Sequence, residues 1–231
     1  GDVYKRQDLE FDPQLLETML FARTAFIDLL QNREYSLHDR LVNVLSASAE
    51  IQYALDEEDT EEIKAIAQEL SHPEIIAERV ESLKKALPEK PLENTENMLL
   101  YLEHLDFIGD ILPQQIKDAS RFVKKLSAPL KAQTSGEYEK LAVYFVYRYF
   151  LKAVRDFDLL SKIKAMIVFV FAAEVINLSR EQDAPARFET VKELCKEIEY
   201  SGDNMDRIYD DSYLSDIFSD ISMLALLEWT L

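Results

Sequence analysis

AMIVFVFAAEVI, residues 165–176, is apolar except for a single glutamate, Glu174. It lies inside a longer segment, 159–179, whose apolar residues recur at helical spacing. The apolar run is too short to cross a bilayer, because a membrane-spanning helix needs about 20 apolar residues. The stretch therefore predicts a helix buried in the core of a soluble protein, with no membrane partner.

The segment before it, 137–156, predicts a second long helix. Residues 141–154 read LAVYFVYRYFLKAV, and their only charges are Arg148 and Lys152, one helical turn apart. A helix this apolar is expected to be buried, so both cations need partners. Two interpretations stay open: the cations pair with Glu174 in a structural network, or they line a pocket for an anionic group.

Helix signals continue over the rest of the chain. Asp12 followed by Pro13 is typical of a helix start, and Ser36 begins a second amphipathic pattern. No strand-like alternation bounded by turns accompanies these signals. The sequence therefore predicts an all-α fold, an irregular multi-helix bundle of about nine or ten helices without a sheet.

The clearest division of the chain is a proline-containing linker, 88–93. It separates an N-terminal helical part, 8–87, from a C-terminal helical part, 94–231; the alternative is that 8–231 packs as one domain. Residues 1–7, GDVYKRQ, resemble the translation of a sequencing adapter and are left out of the fold prediction. This interpretation implies that the native N-terminus is missing and that the chain is a fragment.

The composition excludes several classes of protein. With 44 acidic and 26 basic residues and a net charge of −18, the chain lacks the basic face of a nucleic-acid binder. The 4 glycines stand apart, so no glycine-rich phosphate loop can be written. Cys195 is the only cysteine, which excludes an internal disulfide and a cysteine-built metal site in this chain. We expect no metal ligands and a cytoplasmic protein.

Two features near the C-terminus have structural interpretations beside functional ones. Cys195 lies on an amphipathic helix with Val191 and Ile198, and a buried structural thiol is the preferred interpretation over a reactive nucleophile. The second feature is a cluster of polar residues around the end of this helix, which plain C-terminal capping explains, with Gly202 as a left-handed cap. These residues are Glu197, Glu199, Tyr200, Ser201 and Asn204.

Two stretches resemble the C-terminal region of the flagellin lysine-N-methylase family. VYFVYRYFLKAVRDFDLLSKIK, residues 143–164, is similar to an aromatic–Arg–Tyr–Phe–x–Lys–Ala segment of that family. EIEYSGDN, residues 197–204, is similar to its Glu-x-Glu-His-Ser-x-x-Asn run, with Tyr200 in place of the histidine. Residues 23–45 also resemble the helical middle of the family.

The resemblance implies methyl transfer from S-adenosylmethionine to lysine amines of flagellin, in a bacterial cytoplasm. It also implies a cysteine-rich N-terminal portion, suited to an iron–sulfur or metal site, without which this part is expected to be inactive. The catalytic residues stay unknown. The positions that match the family pattern are Tyr144, Arg148, Tyr149, Lys152, Asp158, Lys162, Glu199 and Asn204.

Two other functions compete with this one. A non-catalytic acidic all-helical scaffold or protein-interaction module is the alternative, because no complete active-site constellation is visible in the sequence. A self-contained methyltransferase of the doubly wound type is disfavoured, because that fold needs a parallel sheet and a glycine-rich turn.

Overall fold

The apolar segment quoted above forms a helix that is buried on all sides. The computed structural model of the chain describes residues 12–85, 91–130, 136–180 and 183–229. In it, helix α9 (Leu160–Arg180) is buried at every position from Ser161 to Asn177. A helix that is apolar all round belongs in the core of a protein. Of the helices described, none combines the length and apolarity needed to cross a membrane.

The described residues form twelve α-helical segments and no strand. In chain order they are α1 (Pro13–Gln31), α2 (Leu37–Asp56), α3 (Thr60–Glu69), α4 (Pro73–Lys84), α5 (Pro91–Glu103), α6 (Ile111–Val123), α7 (Gly136–Tyr149), α8 (Ala153–Asp156), α9, α10 (Ala184–Leu194), α11 (Gly202–Leu214) and α12 (Asp220–Leu226). A 3₁₀ turn, Phe150–Lys152, joins α7 and α8 into one stretch, so the described residues form 11 helices when this stretch counts once. The all-α prediction is confirmed, and the predicted number of helices is slightly low.

Helix α9 lies at the centre of the bundle, and several other helices pack against it. Its neighbours are α2, α6, α7, α10, α11 and α12. Against α7 the contact is aromatic: the ring centroids of Phe145 and Phe169 are 4.5 Å apart. Helix α1 packs against α3 and α7, so helices from both predicted parts of the chain share one contiguous core. The division near residue 88 stays a prediction.

Two segment ends differ from the predictions. Residues 91–93, predicted as the end of the linker, form the first turn of α5, because proline is well tolerated at the first position of a helix. The other linker residues, 88–90, and the adapter-like residues 1–7 lie outside the described residues. The stretch 136–156 ends where predicted, at Phe157, which has a left-handed backbone with φ 53°.

A glutamine from α2 satisfies the first N–H groups of α9. The side-chain oxygen of Gln52 accepts hydrogen bonds from the N–H groups of Leu159 (2.7 Å) and Leu160 (3.1 Å). Its amide nitrogen donates to the carbonyl of Phe157 at 2.8 Å. The first N–H groups of a helix have no partner within the helix, so this side chain fixes α2 to the start of α9.

Gln52→Leu is expected to lower the free energy of unfolding by about 2 kcal/mol, because it leaves the buried N–H of Leu159 without an acceptor. Urea denaturation followed by circular dichroism measures the loss. Gln68→Leu, at an exposed position of α3, is the matched control and should stay within about 0.5 kcal/mol of the parent. Equal losses in the two variants would contradict the capping role.

Candidate functional site

The end of α10 is not α-helical. Residues Cys195–Glu199 form a π-helical turn, in which the N–H of Tyr200 donates to the carbonyl of Cys195 at 2.9 Å. Single π turns inside helices occur frequently at functional sites. The next helix begins directly afterwards, because the hydroxyl of Ser201 accepts from the N–H of Asn204 at 3.3 Å and caps α11. The predicted role of Gly202 as a left-handed cap is therefore wrong, since Gly202 is the first residue of α11.

The π turn points Glu199 at α7. One oxygen of its carboxylate, Oε1, accepts hydrogen bonds from the hydroxyls of Tyr144 (2.6 Å) and Tyr149 (2.7 Å). The Nε atom of Arg148 lies 3.2 Å from the same oxygen. The side chain of Glu199 is fully buried, so this carboxylate depends on these neighbours for its solvation.

Arg148 is surrounded by tyrosines. Its guanidinium lies 5.8 Å from the ring centroid of Tyr144, 5.5 Å from that of Tyr149 and 5.7 Å from that of Tyr200. These distances are within the range of cation–π attraction. The carboxylate beside Arg148 is that of Glu199, so the predicted pairing with Glu174 is wrong.

The stretch from α7 to α8 is largely buried, as expected, but its cations Arg148 and Lys152 are not. The side chain of Arg148 is 44% exposed, and Lys152 is exposed with its Nζ 4.6 Å from the ring centroid of Tyr149. Both cations lie at the edge of the aromatic cluster, so water solvates part of each charge.

The protonation states around Glu199 follow from burial. Burial raises the pKa of the hydroxyls of Tyr144 and Tyr149 above its ordinary value, and the hydrogen bond to the Glu199 carboxylate raises it further. Both hydroxyls therefore stay protonated and act as donors at neutral pH. The arrangement is suited to holding a negative charge that attracts a cation.

Asp158 and Lys162 form a separate cluster at the start of α9. Lys162 Nζ lies 3.0 Å from a carboxylate oxygen of Asp158 and 2.9 Å from one of Asp156. The hydroxyl of Tyr213 donates to Asp158 at 2.6 Å. Burial opposes ionisation of Asp158, but hydrogen bonds from Ser161 and Tyr213 and the charge of Lys162 outweigh it and lower its pKa. These contacts tie α9 to α11.

The side chain of Asn204 makes hydrogen bonds with the backbone, which gives it a structural role. Its side chain accepts from the N–H of Asp106 at 3.0 Å and donates to the carbonyls of Asp106 (2.7 Å) and Glu197 (3.0 Å). Glu197 in turn accepts from the N–H groups of Ile108 (2.8 Å) and Gly109 (3.1 Å). A Cβ atom at Gly109 would lie 2.9 Å from the Glu197 carboxylate, so a larger residue there would displace this carboxylate. The two side chains fasten the α5–α6 loop to the π turn.

The structure thus brings together four of the eight positions that match the family pattern, with Lys152 at their edge. The four are Tyr144, Arg148, Tyr149 and Glu199, which we call the Glu199 site. Asp158, Lys162 and Asn204 make no hydrogen bond or ion pair with any of them. Among the described residues, no group of three or more His, Cys, Asp or Glu side chains could hold a metal ion.

The Glu199 site lies beside a groove between α7 and α10 with a volume of ≈ 610 Å³. This volume is in the usual range for small-molecule and side-chain pockets. Its lining includes Tyr144, Phe188, Cys195, Glu199 and Tyr200. Phe188 was not singled out in the sequence, because one aromatic residue after a helix start is no sign of a pocket.

Cys195 is expected to react slowly with alkylating reagents. Burial raises the pKa of its thiol to about 12, with a further contribution from the Glu199 carboxylate, so almost no thiolate exists at pH 8. Iodoacetamide should modify Cys195 at least about 100-fold more slowly than free cysteine, as followed by mass spectrometry. Glu199→Gln removes the negative charge and should speed the reaction. A parent rate close to that of free cysteine would refute this account.

The features described define an all-α domain with a buried glutamate, two tyrosines and an arginine assembled at a π-helical turn. The profile of one protein family, FliB lysine N-methylase C-terminal domain, matches residues 23–226. The chain belongs to this family, which confirms the resemblance found in residues 23–45, 143–164 and 197–204. Neither a curated protein nor a solved structure is significantly similar to the chain.

Proposed function

We propose that this chain is the C-terminal part of an enzyme that transfers methyl groups from S-adenosylmethionine to lysine amines of flagellin. The observation that carries the proposal is the family match over residues 23–226. A bacterial cytoplasmic location and flagellin as partner belong to the same proposal. The net charge of −18 supports it, because an acidic surface attracts a lysine-bearing protein.

The side chains that line the groove beside Glu199 do not match the hydrogen-bonding groups of S-adenosylmethionine. The two neighbouring ribose hydroxyls of such a cofactor call for a carboxylate with both oxygens available, and no described carboxylate that lines the groove offers two. Glu137 pairs with Arg187 at 2.9 Å, and Glu193 pairs with Lys196 at 3.3 Å. One of the two oxygens of Glu199 is held by the two tyrosines. We therefore propose that the methyl donor binds outside this groove.

A second element of the proposal is that this part is inactive alone. The family resemblance implies a cysteine-rich N-terminal portion that carries an iron–sulfur or metal site, and we assign the chemical step to that portion. The described residues would then contribute to substrate binding and to the framework of the enzyme.

The test is co-expression of the intact gene with flagellin in a host that lacks a flagellin methylase. Mass spectrometry of flagellin peptides should show lysines that carry one or more added methyl groups. The present chain, expressed in place of the intact gene, should leave flagellin unmodified. Unmodified flagellin with the intact gene would refute the proposed activity, and methylation by the present chain alone would refute the need for the N-terminal portion.

The same experiment separates the alternative function. A non-catalytic interaction module would bind a partner protein without adding mass to it. Copurification of flagellin with the product of the intact gene, with every flagellin lysine unmodified, would favour the scaffold over the methylase.

A further inference from the structure

The buried carboxylate of Glu199 has one oxygen that accepts no hydrogen bond from any residue that the structure describes. Oε1 accepts from both tyrosine hydroxyls, whereas Oε2 is buried and has no hydrogen-bond partner within the described part of the chain. A buried carboxylate oxygen that lacks a donor is costly, and such groups are rare in folded proteins. Glu199 is among the residues that line the groove between α7 and α10, so a donor bound in the groove would lie next to this carboxylate.

The aromatic rings beside Glu199 already hold a cation. Tyr144 and Tyr200 line the groove, and the guanidinium of Arg148 lies within 5.8 Å of both ring centroids. Aromatic faces of this kind attract ammonium groups, including methylated ones. The combination of ring faces and a buried carboxylate is therefore complementary to a positive charge.

The remainder of the groove wall is largely apolar. Leu141 lies on α7, and Phe188 and Val191 lie on α10. Phe188 is 60% exposed, although a phenylalanine side chain is usually buried. Lys192 and Lys196 at the rim pair with Glu189 (2.8 Å) and Glu193 (3.3 Å), so acidic neighbours offset their charges. An occupant with an apolar stem and a cationic tip matches these surroundings.

We propose that this groove binds the side chain of a lysine on a protein partner. The alkyl stem lies against Leu141, Phe188 and Val191, and the ammonium group donates to Oε2 of Glu199 between the rings of Tyr144 and Tyr200. A single available acceptor oxygen suits the compact ammonium of lysine better than the two-pronged guanidinium of arginine. The inference rests on the proposed function and extends it by locating where the substrate lysine is held.

The test is a titration of the full chain with Nα-acetyl-lysine methylamide, followed by backbone amide NMR shifts. Saturable shifts should appear at Val191, Glu199 and Tyr200. The norleucine analogue, which has an alkyl stem without the ammonium, should bind at least about tenfold more weakly. No saturable binding of the lysine compound, or equal binding of the two compounds, would overturn the inference.

Two variants report on the site, each with a matched control. Glu199→Gln should weaken lysine binding at least about tenfold, and Glu78→Gln, at an exposed position of α4, should leave it unchanged. Tyr200→Ala should weaken binding about three- to tenfold, and Tyr53→Ala should have no effect. Tyr200 is 68% exposed and Tyr53 72% exposed, so neither substitution disturbs the core. Unchanged binding in Tyr200→Ala and Glu199→Gln, with both variants folded, would overturn the inference.

The outcomes distinguish this inference from the proposed function. Methylation of flagellin by the intact enzyme, without lysine binding in the groove, would refute the inference and leave the function standing. Specific lysine binding that the two variants abolish, without methylation of flagellin by the intact enzyme, would support the inference and refute the function.

Discussion

Phe169→Ala is expected to lower the free energy of unfolding by about 3–5 kcal/mol. Phe169 is 1% exposed in the middle of α9, and its ring packs against Phe145 of α7. Truncation removes buried apolar surface and leaves a cavity, because neighbouring side chains only partly fill the space. Urea denaturation, monitored by circular dichroism, measures the change in the midpoint at constant slope.

Phe188→Ala is the matched control for this substitution. The side chain of Phe188 is 60% exposed on α10, so its removal should change the free energy of unfolding by no more than about 0.5 kcal/mol. A loss at Phe169 as small as that at Phe188 would show that α9 is not the packing centre of the bundle. The control also establishes that the groove wall can be altered without unfolding the protein.

Glu139→Leu is the second substitution with a large expected effect, a loss of about 3–5 kcal/mol of stability. The carboxylate of Glu139 on α7 lies 2.8 Å from Arg40 Nη1, and the Arg40 side chain is only 2% exposed. Arg40 also donates to the carbonyl of Leu30 near the end of α1. Without Glu139, the guanidinium of Arg40 stays buried without its counter-ion. Urea denaturation again provides the measurement.

Two further variants separate the buried pair from its exposed neighbour. Arg33 contacts the same carboxylate at 2.9 Å, but its side chain is 71% exposed, so Arg33→Ala should leave stability close to that of the parent. The double variant Arg40→Met with Glu139→Leu should recover part of the loss, because no charge is then left buried. A double variant less stable than Glu139→Leu alone would contradict this explanation.

The same carboxylate predicts a dependence of stability on pH. The hydrogen bond from Arg33, with those from Arg40 and the charges of both, outweighs burial and lowers the pKa of Glu139. The group therefore contributes its full stability above its ordinary pKa of 4.5, and this contribution is lost as pH falls through the lowered native value. In Glu139→Leu the acid branch of the stability curve should be flatter.

Local features of the fold were predictable because their causes are local. The apolar run of α9 predicts its burial, and Asp12 and Ser36 cap α1 and α2 as their side chains suggest. The π turn was not predictable, since residues 195–199 would also suit a regular helix and only packing against α7 and the α5–α6 loop selects the wider turn. For the same reason the capping interpretation made Gly202 the end of one helix, whereas Gly202 is the first residue of the next, α11.

The candidate site was predictable in its members but not in its pairing. The family pattern singled out Tyr144, Arg148 and Glu199, yet local spacing suggested Glu174 as the partner of Arg148. Glu199 is 50 residues or more from the tyrosines that it binds, and no local pattern encodes a contact over such a separation. Glu139 and Arg40 illustrate the same limit, at a separation of 99 residues.

The π turn makes the Glu199 site sensitive to chain length. A π turn holds about one residue more than an α-helical turn, and each residue of an α-helix rotates the next side chain by about 100°. Deleting one residue from 195–199 would therefore restore a regular helix. Either Glu199 or the side chains before it would then lie on a different face of that helix. Relatives one residue shorter at this point are expected to keep the bundle and to lack the carboxylate between the tyrosines. Insertions and deletions here, more than substitutions, would decide which members of the family possess the site.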